Sequence, residues 1–226
     1  MSANEQQVNE ESKQLVRQKQ EKWLADNGID KAVWSALQSS VYPGANPESI
    51  LLVYQYCKAR DLDPLKKPVH IVPMKVKDSR TGQYDWRDVV MPGIYEYRIT
   101  AMRTGEYAGM DDPEFGGAIE YKGVKAPEWC RVTVYRLIDG HRCPFPHQEW
   151  FEECVATKKE GEPNSMWKKR PKGQLLKCAE AGALRKAFPE DLGGTMTADE
   201  VQTESMIDIT PKHSEVDDIN SELGID

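Results

Sequence analysis

Hydrophobic positions change their spacing along the chain, and these changes predict a mixed fold. Asn46 and Pro47, an N-cap residue followed by a first-turn proline, predict the start of a helix. Apolar and polar residues then alternate over 69–74 and again over 84–91, which predicts a β-hairpin. Helical spacing returns over 94–104 and predicts a short amphipathic helix.

The second half of the chain repeats this change of pattern. Residues 118–121 and 129–137 are predicted to form a second hairpin, and 148–155 a further strand. Pro171 starts the last strong helix, in which small residues such as Gly182 lie on one side and allow close packing against a sheet. The order helix, hairpin, helix, strands, helix predicts an α+β domain in which a small antiparallel sheet packs on helices.

Charge is distributed unevenly along the chain. The last 38 residues carry eleven acids and one lysine, and the whole chain has a formal charge of −7, so residues 1–188 carry +3. Between 158 and 188, nine Lys and Arg stand against three acids. A concentrated basic segment in an acidic protein indicates a polyanionic partner, because phosphates supply most nucleic-acid affinity. A solvated, charged surface is the alternative interpretation.

These patterns divide the chain into three predicted parts. Residues 1–45 form an N-terminal helical segment that is available for oligomer contacts, and 46–193 form the core. Residues 194–226 are acidic and rich in Ser, Thr and Asp, which predicts a flexible, disordered tail. Such a tail either screens a basic groove or binds a partner.

Cations and aromatic side chains interleave in the way that a single-strand binding groove requires, since cations neutralise phosphates and flat rings pack against bases. Core packing is the alternative for most of the aromatic residues. The candidates outside the basic segment are Lys66, Lys67, Lys75, Lys77, Arg80, Arg98 and Arg103, with Tyr84, Trp86, Tyr95 and Tyr97, and Trp167 within it.

Composition argues against several other classes of protein. An apolar run of about 18 residues is absent, which excludes a membrane-spanning helix, and the polar N-terminus without a hydrophobic signal region predicts a cytoplasmic protein. Five scattered cysteines without a CxxC pair predict reduced thiols. His141, Cys143, His147 and Cys154 match no common zinc spacing, so we expect neither a metal nor a cofactor.

An enzymatic alternative rests on a short acidic motif. Asp111 and Asp112, followed by Glu120 and Lys122, loosely resemble the carboxylates and lysine of metal-dependent nucleases, which hold Mg²⁺ and activate water. The end of a hairpin strand explains Glu120 to Lys122 equally well. A GxxxxGK[ST] loop is absent, which disfavours ATP hydrolysis by a P-loop.

The order of several motifs adds a family resemblance. The segment WKKRPKGQLLKCAEAGALRKAF at 167–188 resembles the signature of the Bet (lambda Red beta)/RecT family of phage single-strand annealing recombinases. LDPLKK at 62–67, YAGM at 107–110 and Glu149-Trp150 resemble further family motifs in the same order. The resemblance covers about 46–193.

This resemblance implies an ATP-independent protein, and not an enzyme, that binds single-stranded DNA and anneals complementary strands in phage-type homologous recombination. It implies a ring or helical filament, a fold distantly like the eukaryotic annealing proteins, and the cytoplasm of a bacterial host. Its implied partners are single-stranded DNA, the annealed duplex, a 5′→3′ exonuclease and a host single-strand binding protein. A passive single-strand binder and the metal-dependent nuclease remain the alternatives.

The resemblance also suggests which residues contact DNA. Lys172 and Arg185 match basic positions of the signature, and Lys67 and Lys75 match basic residues near the first hairpin. The predicted nucleic-acid-binding set is Lys67, Lys75, Arg98, Lys158, Lys159, Trp167, Lys168, Lys169, Arg170, Lys172, Lys177 and Arg185.

Overall fold

A computed structural model describes residues 18, 21–78, 81–158, 161–194, 196–198, 200 and 206–208. They belong to two compact units, residues 1–71 and residues 72–226. Lys159, Arg80 and most of the predicted tail lie outside the described residues.

The first unit is helical. Residues 21–26 are helical, and the helices α1 (Lys31–Ala36) and α2 (Pro47–Ala59) follow. A π-helical turn (Leu37–Val41) lies between α1 and α2, and a 3₁₀ turn (Pro64–Lys66) comes after α2. The side chain of Asn46 accepts a hydrogen bond from the backbone N–H of Glu48 at 3.3 Å, so the predicted N-cap is confirmed.

The elements from Val69 onward are mainly strands, followed by one long helix. The strands are β1 (Val69–Asp78), β2 (Tyr84–Pro92), β3 (Tyr107–Met110), β4 (Glu114–Phe115), β5 (Ala118–Tyr121), β6 (Val124–Pro127), β7 (Trp129–Ile138), β8 (His141–Trp150) and β9 (Met206–Asp208). The helices are α3 (Ile94–Arg103), α4 (Phe151–Cys154), α5 (Ser165–Lys169), α6 (Pro171–Ala187) and α7 (Pro189–Leu192). The predicted α+β class is confirmed.

The strands form three small sheets. The central sheet is antiparallel, in the order β3-β7-β4, with β8 also paired to β7. A second sheet has the order β2-β1-β9, in which β9 runs parallel to β1, and β5 pairs with β6. The predicted first hairpin is present as β1 and β2.

The predicted second hairpin pairs the wrong strands. β5 pairs with β6 and β7 pairs with β8, because each pair is closed by a two-residue turn. Lys122-Gly123 and Asp139-Gly140 have φ values of 47°, 79°, 49° and 77°, which are the positive values that a tight hairpin turn requires. The strand predicted over 148–155 is misplaced, since the observed strand β8 begins at His141, ends at Trp150 and is followed by the helical turn α4.

The helix α6 packs on β7 and β8 and contributes much of the main core. Gly182 makes this close approach possible, because a Cβ atom at this position would lie 2.8 Å from Cγ of His147 and closer still to other atoms of its ring. The predicted role of the small residues, packing against the sheet, therefore agrees with the structure. The strand His141–Trp150 holds His147 in place through a 2.6 Å hydrogen bond between its Nε2 and Oε1 of Glu149.

Part of the segment predicted as a flexible tail is packed onto the second unit. Thr197 is fully buried, and the backbone N–H of Ala198 donates to the carbonyl of Pro92 at 2.9 Å. Ala198 also packs against the small apolar cluster of Met74, Val76 and Met91. Met206–Asp208 of the same segment form β9, which pairs with β1.

Candidate nucleic-acid interface

The basic segment is organised by two helix starts. Asn164 caps α5 by accepting hydrogen bonds from the backbone N–H groups of Met166 and Trp167 at 3.0 and 3.1 Å. Pro171 then occupies the first turn of α6, as its fixed φ favours. The lysines and arginine between these two starts, at 168–170, are held on an exposed corner.

Four cations surround a concave site at the N-terminus of α6. Lys125 of β6, Lys169, Arg170 and Lys172 line a concavity of about 600 Å³, and we call these four residues the basic site. All four are exposed. The first turn of α6 has no side-chain cap, so its backbone N–H groups and the helix dipole add to the attraction for an anion. The arrangement is suited to bind phosphate oxygens without reading bases.

Sequence reasoning missed Lys125. It lies between the buried Val124 and Ala126, and this alternation on a strand directs the lysine to the outer face. The tight turn at Lys122-Gly123 was the available signal, since it fixes which residues form β6.

A surface loop borders the basic site. Lys168 donates to Oε2 of Glu162 at 2.6 Å, and this hydrogen bond lowers the pKa of Glu162 below its ordinary value. Both side chains are about half exposed, so the pair is weak and a phosphate can replace the carboxylate. Lys158 is exposed in the same loop, and Lys122 donates to the carbonyl of Gly161 at 2.6 Å.

The structure does not offer Trp167 to a base. The side chain is 1% exposed and packs edge-on against Phe151, with ring centroids 5.5 Å apart. The cap at Asn164 turns this position of α5 into the core. The predicted base-stacking role of Trp167 is therefore corrected to a role in the core. Tyr97 is fully buried as well.

Two predicted DNA contacts are already neutralised by acids. Arg98 donates twice to the buried carboxylate of Glu180, with both distances 2.6 Å, and these hydrogen bonds raise the pKa of Arg98. Arg185 pairs in the same way with Glu200. Burial lowers the pKa of Arg185, but the bonds and charge of Glu200 more than offset this, so its pKa is raised.

Lys172 and Arg185 do not face the same side of α6. Their offset of 13 positions corresponds to about 20 Å along the helix and about 140° around its axis. Lys177, also on α6, is half-buried. One straight groove along the helix therefore cannot collect all of the predicted contacts.

The first hairpin presents a second cationic and aromatic surface. Nζ of Lys75 lies 5.1 Å from the ring centroid of Tyr84, and Trp86 is 59% exposed on the same strand as Tyr84. Lys67 belongs to the first unit, where its Nζ lies 5.2 Å from the ring centroid of Tyr42. Both lysines are exposed.

A comparison with protein families decides the relationship. A model of the RecT family matches residues 27–216, which is most of the chain. The chain belongs to the RecT family. No curated protein matches the sequence. Membership of the RecT family implies a single-strand annealing protein of DNA recombination that binds single-stranded DNA and annealed strands.

Two of the four residues of the nuclease alternative, Asp111 and Lys122, are engaged elsewhere in this RecT-family protein. Oδ2 of Asp111 accepts from the hydroxyl of Tyr135 at 2.8 Å, and Oδ1 lies 3.8 Å from Arg142. Lys122 is bonded to Gly161. Within the described residues, three or more His, Cys, Asp or Glu side chains do not come together to hold a metal ion. RecT-family proteins are annealing proteins and not classical enzymes.

None of the helices in the described part of the chain has the length and apolar character that a bilayer crossing requires.

Proposed function

We propose that this protein binds single-stranded DNA through its phosphates at the basic site and anneals complementary strands without nucleotide hydrolysis. The observation that carries the proposal is the concavity in which four cations meet the uncapped start of α6, in a chain of the RecT family. Phosphate contacts position a strand without reading its sequence, so the base edges stay available to a second strand. Base pairing then supplies specificity, and annealing is downhill, so no ATP is needed.

The basic site predicts a measurable salt dependence. Each phosphate contact to single-stranded DNA contributes a slope of about −0.7 to the plot of log affinity against log salt, so four contacts contribute about −3. Raising the salt from about 50 to about 200 mM then lowers affinity about 50-fold. Lys158 and Lys168 flank the site and add to this slope once Glu162 is displaced from Lys168.

The protein acts in this proposal as a ring or helical filament. Each basic site is local, so neighbouring subunits are needed to hold a strand extended over a longer distance. Residues 1–45 are proposed to provide contacts between subunits, 46–193 the annealing core and 194–226 an acidic tail. Lys67 and Lys75 are proposed as outlying DNA contacts of the core, together with Lys177, and Lys159 remains a prediction outside the described residues.

The proposed partners follow from the reaction. Annealing needs single strands, so a 5′→3′ exonuclease is the proposed source, and a host single-strand binding protein is the proposed competitor for the same DNA. The proposed location is the cytoplasm of a bacterial host, where no metal or nucleotide cofactor is required for the reaction.

Lys172→Ala tests the assignment of the basic site. We expect weaker binding of an oligothymidylate and a salt slope shallower by about 0.7, because one phosphate contact is lost. Fluorescence anisotropy over a salt series measures both quantities. Lys31→Ala is the matched control, since it removes an exposed lysine of the first unit that pairs with Glu21. An unchanged slope in Lys172→Ala, or an equal change in Lys31→Ala, refutes the assignment.

A further inference from the structure

In the last turn of α6, Arg185 forms an ion pair with Glu200. The sequence predicts that Arg185 contacts DNA. Nη1 of Arg185 donates to Oε2 of Glu200 at 2.6 Å, and Nη2 donates to Oε1. The side chain of Glu200 is 6% exposed and that of Arg185 is 23% exposed. The two guanidinium donors that are used in this way cannot bind a phosphate at the same time.

The segment that carries Glu200 is held by more than this pair. The backbone N–H and the hydroxyl of Thr197 donate to Oε2 of Glu200 at 2.8 and 2.9 Å. The backbone N–H of Ala198 is bonded to the carbonyl of Pro92. Glu200 is therefore placed on Arg185 by the contacts of Thr197 and Ala198, and Thr197 is completely buried.

The Glu200 carboxylate has the chemistry of the ligand that the arginine would otherwise take. Carboxylates and phosphates both present two oxygens and a negative charge to the planar fork of arginine. The chain beyond this contact adds to the competition, because residues 201–226 contain seven acids and one lysine. A polyanion that approaches α6 and an attached acidic chain repel each other.

We propose that Thr197, Ala198 and Glu200 form a built-in competitor, in which the Glu200 carboxylate occupies the paired donors of Arg185 until a backbone phosphate of single-stranded DNA displaces it. This inference rests on the proposed function and adds a regulatory element to it. Displacement releases these residues, so phosphate binding at these donors of Arg185 and docking of Glu200 exclude each other. The basic site at the other end of α6 stays open and captures the strand first.

The first test is a cycle of full-length variants. Glu200→Gln keeps the shape of the side chain but removes its charge, and we expect an affinity for an oligothymidylate about five-fold higher, the effect of one partly exposed charge contact. Glu190→Gln is the matched control, because it removes one exposed acid of the same region. In an Arg185→Gln background, Glu200→Gln is expected to have no effect beyond that of Glu190→Gln.

A second variant leaves the charge unchanged. Thr197→Val removes the hydroxyl that donates to Glu200 while it keeps a side chain of similar size in the buried position. We expect a smaller rise in affinity in the same direction. Three results would each overturn the proposal. The first is an affinity for DNA that rises equally in Glu200→Gln and Glu190→Gln, and the second is a rise from Glu200→Gln that persists without Arg185. The third is an unchanged affinity in Thr197→Val.

Hydrogen exchange of the wild-type protein gives a direct measure of displacement. Saturating oligothymidylate is expected to accelerate exchange of the Ala198 amide, which loses its bond to Pro92, while amides of the strand Trp129–Ile138 are unaffected. An Ala198 amide that stays equally protected with DNA bound overturns the competitor but leaves the proposed function intact. Failure of the wild type to bind DNA through Lys172 is a different result, since it refutes the proposed function itself.

Discussion

Replacing Gly182 by alanine tests the contact that places α6 on the central sheet. The new Cβ would lie 2.8 Å or less from three ring atoms of His147, whereas ordinary contact begins at 3.4 Å. The ring cannot move freely, because Nε2 is bonded to Glu149 and Nδ1 is buried. Overpacking of this kind costs about 1–3 kcal/mol, and losing the charged hydrogen bond costs about 1.5–3 kcal/mol more.

Helix propensity acts in the opposite direction. Alanine is favoured over glycine in a helix interior by about 1 kcal/mol, so the net expected loss from Gly182→Ala is about 1.5–5 kcal/mol. Urea unfolding followed by circular dichroism measures this loss. Gly173→Ala in the same helix is the matched control, because its Cβ would meet only Cβ of Arg170 at 4.0 Å. We expect that variant to be neutral or more stable.

The reasoning also predicts a rescue. In a His147→Ala background the ring is absent, so Gly182→Ala is expected to cost little or to stabilise the protein through propensity. The account of how α6 packs on the sheet would be refuted if Gly182→Ala had the same effect on stability with and without the His147 ring. Equal stability of Gly182→Ala and Gly173→Ala would refute it as well.

Two further predictions concern the core and the sheet. Trp167→Ala is expected to lower the free energy of unfolding by about 3–5 kcal/mol in denaturant titrations, because a large buried ring is lost, and unchanged stability with weaker DNA binding would instead support base stacking. Burial alone would raise the pKa of Glu149 above its ordinary value of 4.5, but hydrogen bonds from His147 and Cys154 more than offset burial, so the pKa is lowered. The ionised Glu149 carboxylate therefore contributes to the free energy of unfolding in full above pH 4.5, and this contribution is lost as the pH falls through the lower folded-state pKa. Glu149→Gln has no such carboxylate. Over that acidic range we expect its free energy of unfolding to fall less than that of the wild type. Parallel stability curves for the two proteins would contradict this assignment.

Local signals predicted two helix starts. Asn46 before Pro47 acts through a hydrogen bond to a residue two positions away, so a short window of sequence contains the whole interaction. The cap of Asn164 on α5 is equally local, but that helix was not predicted from the sequence. Pro171 works similarly at the start of α6. The alternation that predicted the first hairpin is local for the same reason.

Strand pairing and burial depend on distant parts of the chain. The pairing of β7 with β8 was available from the Asp139-Gly140 turn, a local signal that the alternating pattern alone did not reveal. The burial of Trp167 depends on Phe151, and the neutralisation of Arg185 depends on Glu200, so neither follows from local composition. A basic residue in a signature therefore indicated an anion at Arg185 without indicating which anion occupies it.

The central claim is tested most directly by annealing two complementary oligonucleotides that are added one after the other, in EDTA and without nucleotide. We predict faster pairing with the protein than without it, a smaller acceleration with Lys172→Ala, and rings or helical filaments in electron micrographs of the products. Binding of the first strand without faster pairing would contradict the claim and support a passive single-strand binder. Strand cleavage that appears only when magnesium replaces EDTA would support the nuclease.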